Sequence, residues 1–344
     1  MLARLFVAVP FHLAVPDGRR FNVYTYEDEG YLVNLYPPSR SDRPAPGDIP
    51  DVVKMNGAPA FVANGLGIEF RRESFDRVRG HSWDPPEAVI NRAIDSFLTR
   101  LRYVTRGAQV HRVPLRQLHW QLRYLNDDGT ELEEDSAMIR GLDGIVFHWS
   151  LVGINETVWE DIHRLPADFA PPPWDDLLLD SQAALPHVGT GVVLAATALE
   201  VFIAQILDAL AARSDVPADV WKWLTDRGEW LRDPTTEEQF DVLLRHFTGH
   251  SLKEDGVLWE AFKNLKSARN SFVHEGVPKV GGKIVSVTDA ARLLARANEI
   301  INRIKGWLHA ELRWPEFELS VRLEIEHGFP ERPNPPMQPT APQD

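Results

Sequence analysis

The chain has 344 residues, 44% of them apolar and 25% charged, which is enough to bury two cores. Its formal net charge of −13 argues against a protein that coats nucleic acid and confines any such activity to a local site. It contains no cysteine, which excludes disulfides and thiolate metal sites and fits a reducing compartment.

The opening stretch MLARLFVAVPFHLAV is apolar but interrupted by Pro10 and His12, and no small-x-small cleavage site follows. It reads as a first β-strand rather than a signal peptide. No run approaches the length of a membrane span, so no membrane and a cytoplasmic location are expected. Phe21–Tyr26 and Tyr31–Tyr36, rich in aromatic and β-branched residues, flank a polar turn ending in Gly30 and predict a hairpin. Tyr36–Pro50 carries five prolines and predicts a surface loop. Phe61–Phe70 predicts a strand around Gly65 and Gly67.

Asp84 as N-cap, followed by Pro85 and Pro86, opens a helix over Glu87–Tyr103 whose apolar residues recur at helical spacing. Arg92, Arg100, Arg102 and Arg106 read as a solvated helix face and its exit rather than a nucleic-acid patch. Leu115–Leu125 leads into an Asp128-Gly129 hairpin signal, and Ile145–Trp149 suggests one more strand. The N-terminal part, residues 1–164, is therefore expected to be mixed, mostly antiparallel β with at least one helix.

A proline-rich linker over residues 165–179, centred on Leu165–Trp174, separates this part from a helical one over 180–313. Four helices are expected there: Val188–Arg213, Pro234–Thr248, Val257–His274 and Asp289–Leu312, the last capped by Thr288 or Asp289. Gly281-Gly282 predicts a small hairpin between the last two. Trp221, Trp223 and Trp230 read as a packed cap on the bundle. An extra strand is expected within 314–327, and a proline-dominated, disordered tail over 328–344. The fold class is α+β, with an all-α bundle in the C-terminal half.

A helical wheel of the third helix places Arg269 among Phe262, Leu265, Phe272 and Val273, a charge inside an apolar stripe. On the first helix Glu200 is surrounded by Val193, Ala196, Ile203, Ala204 and Leu207. Since an unpaired buried ion is costly, the economical expectation is that Arg269 and Glu200 meet across the bundle. His274 shares a polar face with Lys263, Ser267, Asn270 and Ser271, at about 140° from Arg269. On spacing alone it is a cation at a helix C-terminus; it would meet Arg269 only if the last turn before Gly276 unwinds.

Arg269-Asn270-Ser271-Phe272-Val273-His274 resembles the R-x(4–6)-H signature of the HEPN superfamily, in the form with a polar residue after the arginine. The resemblance extends to Thr197-Ala198-Leu199-Glu200-Val201-Phe202 on the first helix, to the second-helix region ending Thr248-Gly249-His250-Ser251-Leu252, and to the helix order. It covers about Asp180–Leu312 and leaves the N-terminal half unassigned. The resemblance implies an antiparallel bundle that forms a homodimer and brings two motifs into one cleft. Many members are metal-independent endoribonucleases, and a toxin or defence effector is the setting expected for this chain. It implies that His274 acts as general acid or base around the ribose 2′-hydroxyl and Arg269 stabilises the phosphorane. Asn270 would position a phosphate or the histidine, and Glu200 would orient Arg269. Histidine titrates near neutrality and arginine presents a planar fork to phosphate. Lys263 and Lys266 would supply local positive charge.

No cofactor is expected, since neither a Walker loop nor a Rossmann fingerprint occurs. No metal is expected either: His246 and His250, the one i, i+4 histidine pair, flank a helix end at Gly249. Two functions stay open: an endoribonuclease acting on RNA, or a non-catalytic dimerisation or RNA/nucleotide-binding module. The N-terminal part would sense, inhibit or recruit.

Overall fold

The structure, a computed structural model, describes residues 2–40, 52–73, 84–130, 137–139, 151–226 and 233–326. The fold is α+β. It divides into one unit of Met1–Phe97, Arg112–Ala167 and Leu319–Asp344, and another of Leu98–His111 and Asp168–Glu318.

The first unit is built on a sheet. Its strands are β1 (Leu2–Pro16), β2 (Tyr24–Asp28), β3 (Tyr31–Leu35), β4 (Val52–Met55), β5 (Ala58–Arg71), β6 (His119–Leu125), β7 (Ala137–Ile139), β8 (Leu151–Gly153) and, from the far end of the chain, β11 (Leu323–Glu326). The order is β11-β4-β5-β1-β6-β7; β3 adds to β5 and carries β2, and β8 runs parallel beside β1. The long antiparallel pair of β1 and β5 is the axis of the sheet. Ala8 pairs with Gly65 and Leu13 with Ala63, so residues 9–12 face Asn64 alone. Pro10 and His12, which interrupt the apolar run, thus sit in a bulge, where a ladder can do without a proline N–H.

Alternation decides the two faces of the sheet. Ala3, Leu5, Val7, Leu66, Ile68, Phe70, Leu122 and Tyr124 are buried, while Arg4 and Phe6 between them are not. The β2–β3 turn uses Glu29 and Gly30, both at positive φ, as a two-residue hairpin requires. The Asp128-Gly129 turn also forms, and β6 pairs with β7 beyond it.

Helix α1 (Glu87–Thr105) buries Val89, Ile90, Ala93, Ile94 and Phe97. Its arginines are clamps rather than the expected solvated face: the Arg102 side chain is only 11% exposed. Arg92 pairs with Asp28 and Glu29 at 3.1 and 2.9 Å, Arg102 with Asp180, and Arg106 with Asp175 at 2.7 Å, while Arg100 is fully buried. Asp84 has a role the sequence did not suggest: its buried carboxylate accepts the Tyr31 hydroxyl and its carbonyl accepts that of Tyr124. Helix α2 (Glu156–Arg164) is capped by Asn155, whose side chain accepts the Val158 N–H.

The last strand forms as expected. β11 pairs with β4, and Val321 and Leu323 complete a small apolar cluster with Ala14, Val53 and Met55. Gly153 lies under Val321, whose side chain a Cβ there would overlap. Residues 319–326 therefore belong with the N-terminal strands, a division that sequence-adjacent boundaries do not capture.

The second unit is helical: the end of α1, α3 (Pro173–Ala183), α4 (Val188–Ala211), α5 (Ala218–Thr225), α6 (Thr236–Glu238), α7 (Leu244–Thr248), α8 (Gly256–Glu275) and α9 (Val287–Trp307). A π-helical turn, Gln239–Leu243, joins α6 and α7 into the expected second helix. Strands β9 (Lys279–Val280) and β10 (Lys283–Ile284) form the hairpin at Gly281-Gly282. The linker is shorter than expected. The third proline of the run occupies the first position of α3, where a missing N–H costs nothing, so part of residues 165–179 is helix. The cap of α9 is Ser286, accepting the Asp289 N–H, rather than Thr288 or Asp289.

Helix α4 is the centre of this unit and packs against α3, α8 and α9. It is 24 residues long and apolar enough to cross a membrane, which corrects the expectation that no run approaches that length; 56% of its most apolar window is buried inside the bundle. Of the tryptophan patch, Trp221 is packed, donating to Asp208 at 2.8 Å and meeting Phe247 edge-on, whereas Trp223 is 60% exposed. Ile145–Trp149, Trp230, most of the proline-rich loop and the tail from residue 328 lie outside the described residues.

His12 gives the fold a pH dependence. It is 7% exposed, its Nε2 has no hydrogen-bond partner among the described residues, and burial lowers its pKa. Below the unfolded-state value of about 6.5 the unfolded chain takes the proton first, so stability present above that pH is lost as pH falls. Thermal melts between about pH 7 and pH 5 should show a falling Tm for the wild type and a smaller fall for His12→Leu. Parallel curves would refute the assignment.

Candidate functional site

The candidate residues sit near the end of α8. Asp255 caps its start by accepting the Leu258 N–H. Gly276, at φ 75°, ends it, donating its N–H to the Phe272 carbonyl. Leu258, Ala261, Phe262, Leu265 and Ala268 form its buried stripe. Phe272 extends the stripe by laying its ring where a side chain on Gly189 of α4 would stand.

Arg269 lies at the edge of this stripe, half-buried, rather than in its middle; its expected neighbour Val273 is 55% exposed. Its Nη1 donates to Asn270 Oδ1 at 3.0 Å, and its buried Nε has no partner. The expected ion pair with Glu200 is not formed: Glu200 is half-buried on α4, and the polar contact of Arg269 is to Asn270. A half-buried arginine can keep part of its charge in water, which removes the need for a carboxylate.

His274 is exposed and forms no hydrogen bond or ion pair among the described residues. The helix is regular through Glu275, so the last turn does not unwind. Within one chain Arg269 and His274 are therefore separated by about 140° around the axis and about 7.5 Å along it. Asn270 connects them: it holds the guanidinium, and it lies one turn before His274 on the same face.

The supporting lysines are engaged with glutamates. Lys263 contacts Glu260 at 2.5 Å, and Lys266 contacts Glu237 at 2.8 Å. Such exposed pairs are weak, and an anionic ligand competes with them. Ser271 and Ser267 hold the hairpin: Ser271 accepts the Lys279 N–H at 2.6 Å, and Ser267 donates to the Lys279 carbonyl at 3.4 Å. The Thr248–Leu252 segment is tied to the π turn through Ser251, which donates to Asp241 at 2.6 Å. That bond, with Arg245 and Lys253 nearby, lowers the Asp241 pKa.

His250 stacks on Trp307 at 5.2 Å and His246 meets Phe247 edge-on. Among the described residues no group of three or more His, Asp or Glu side chains is placed to hold a metal ion. Sequence reasoning missed the Phe272–Gly189 contact, whose signal is a glycine in the first turn of the most apolar helix. Comparison with protein-family models, with curated proteins and with solved structures gives no match.

Two outcomes check this geometry. A double-mutant cycle of Arg269→Gln and Glu200→Gln should give a coupling below about 0.5 kcal/mol in urea unfolding; a buried ion pair would give several times more. Gly189→Ala should lower the Tm. An interior helical alanine normally gains about 1 kcal/mol over glycine, but here displacing the Phe272 ring should cost about 1–3 kcal/mol.

Proposed function

We propose that the helical unit is a HEPN-type endoribonuclease that needs no metal and works as a homodimer, the ends of two α8 helices sharing one cleft. One observation carries the reading: a half-buried guanidinium, held by Asn270 and neutralised by no carboxylate among the described residues, on the same helix end as an exposed histidine that shares the Asn270 face. Such a cation is a ready partner for a phosphate, and planar donors suit its oxygens.

In the reaction His274 takes the proton of a ribose 2′-hydroxyl. The 2′-oxygen bonds to the adjacent phosphorus, the bond to the 5′-oxygen breaks, and the leaving 5′-oxygen takes a proton from a water molecule. The products are a 2′,3′-cyclic phosphate and a 5′-hydroxyl. Arg269 stabilises the charge developing on the phosphorane, and Asn270 positions the guanidinium. With about 140° between Arg269 and His274 in one chain, the second copy supplies the missing partner at each site. A toxin or defence effector is the biological setting this activity suits. The same separation favours a second reading, a non-catalytic module that dimerises or binds RNA through Arg269 alone.

Purified wild type and His274→Ala are compared on structured RNA, scoring cyclic-phosphate ends. His274→Ala should lose about 10²–10⁴-fold in rate. Equal rates, or no cleavage by dimeric wild type across several RNAs, would reject the nuclease. Mixing inactive Arg269→Ala and His274→Ala subunits should restore roughly one quarter of wild-type activity, because half of the random dimers contain one intact shared site.

A further inference from the structure

We propose that residues 313–317 are a latched strap, able to leave the helical unit while the bundle stays folded, and that the ion pair of Lys305 with Glu316 is the latch. Tyr103 of α1, Trp174 of α3, Lys305 of α9 and the strap itself all belong to the second unit.

Lys305 lies in the last turn of α9, where the helix carbonyls favour a cation. Its ammonium stands 6.0 Å from the centre of the Trp174 ring and binds Glu316, its one carboxylate among the described residues. The two partners are unlike: the Lys305 side chain is 10% exposed and that of Glu316 is 63% exposed. A nearly buried charge thus depends on a carboxylate that solvent reaches. Without Glu316 the ammonium would be an unpaired buried cation, which favours any conformation that lets it meet water.

Little else holds the strap. Residues 313–322 form neither helix nor strand. Among the described residues, the backbone of 314–318 makes no hydrogen bond to other backbone. Trp314 meets Trp174 edge-on at 5.3 Å, and Phe317 meets Tyr103 edge-on at 6.2 Å. The Tyr103 hydroxyl donates to the Pro315 carbonyl at 2.8 Å. Burial raises the Tyr103 pKa, so the hydroxyl stays protonated and remains a donor. A segment held by side-chain contacts alone opens at low free energy.

Both ends of the contact are built to survive the opening. Arg313 fixes the near end, donating from Nε to the Leu308 carbonyl at 2.9 Å and from Nη2 to that of Gly306 at 3.2 Å. These bonds satisfy carbonyls at the end of α9 whatever the strap does. Trp174 is 2% exposed and also packs edge-on against Phe202 of α4 at 5.1 Å, so it keeps its place when Trp314 leaves. Release uncovers the Lys305 ammonium and one side of the Trp174 ring, and leaves the bundle core closed.

Limited chymotrypsin digestion of the full chain tests the latch, with cleavage after Phe317 followed by mass spectrometry. A docked Phe317 ring is withheld from the protease, so the cleavage rate follows the open fraction when opening is fast. Glu316→Gln should raise that rate about tenfold, because it strands the lysine charge. Lys305→Met, which removes the charge and keeps the apolar stem, should stay within about twofold of wild type. The double variant should match Lys305→Met. Cleavage within α8 and α9, which reports unfolding of the bundle, should be the same in all four proteins. A wild-type rate for Glu316→Gln, a double variant as fast as Glu316→Gln, or cleavage of α8 and α9 rising together with that at Phe317 overturns the proposal.

Discussion

The contact of Phe272 with Gly189 determines which side chains α8 presents to solvent. Because the ring occupies the place of a missing side chain on α4, the last turns of α8 cannot rotate about their axis without losing it. With Phe272 facing inward, helical geometry places Arg269 about 60° away, at the edge of the buried stripe. Asn270 and His274 fall about 160° away on either side, facing outward. Half-burial of Arg269 and exposure of His274 follow from one packed ring and a regular helix.

The protein is acidic, so its cations meet carboxylates almost everywhere. Arg102, Arg106, Arg213, Arg245, Arg296 and Arg303 in the helical unit each contact an aspartate or glutamate. The exposed pairs among them, such as Arg213 with Glu311 and Arg296 with Glu299, contribute little to stability. They matter here as a background: with 50 acidic and 37 basic residues, a guanidinium that touches only an amide has been kept from the carboxylates around it. Asn270 supports one donor of the fork without neutralising its charge, and the charge is what a phosphate would recognise.

Much of the fold was legible because its signals are local. Helical periodicity found the four long helices of the second unit, and Asp-Gly and Gly-Gly turns found two of the hairpins. Long-range partners were the weak point. The expectation of an Arg269–Glu200 pair treated wheel position as burial, yet a long side chain at the edge of a stripe can leave it. The return of β11 to β4 joins residues far apart in the chain, and no local pattern encodes such a partner. In β5, Glu69 within the run GLGIEF was a visible anomaly, but its meaning depends on Arg4 of β1 and on Tyr36, the residue after β3.

Packing and solvent exposure are divided between neighbouring residues at the end of α8. Phe272 packs on α4, and Ser271 holds the β9–β10 hairpin through Lys279. Neither is free to take part in a reaction. Asn270 and His274, interleaved with them, make no contact on which another element depends. His274, exposed and without a hydrogen bond among the described residues, can be replaced with little effect on stability. Replacing His274 should therefore leave the fold intact. Losing Arg269 also removes a half-buried stem from the edge of the core, so the two substitutions are unequal tests of the same motif.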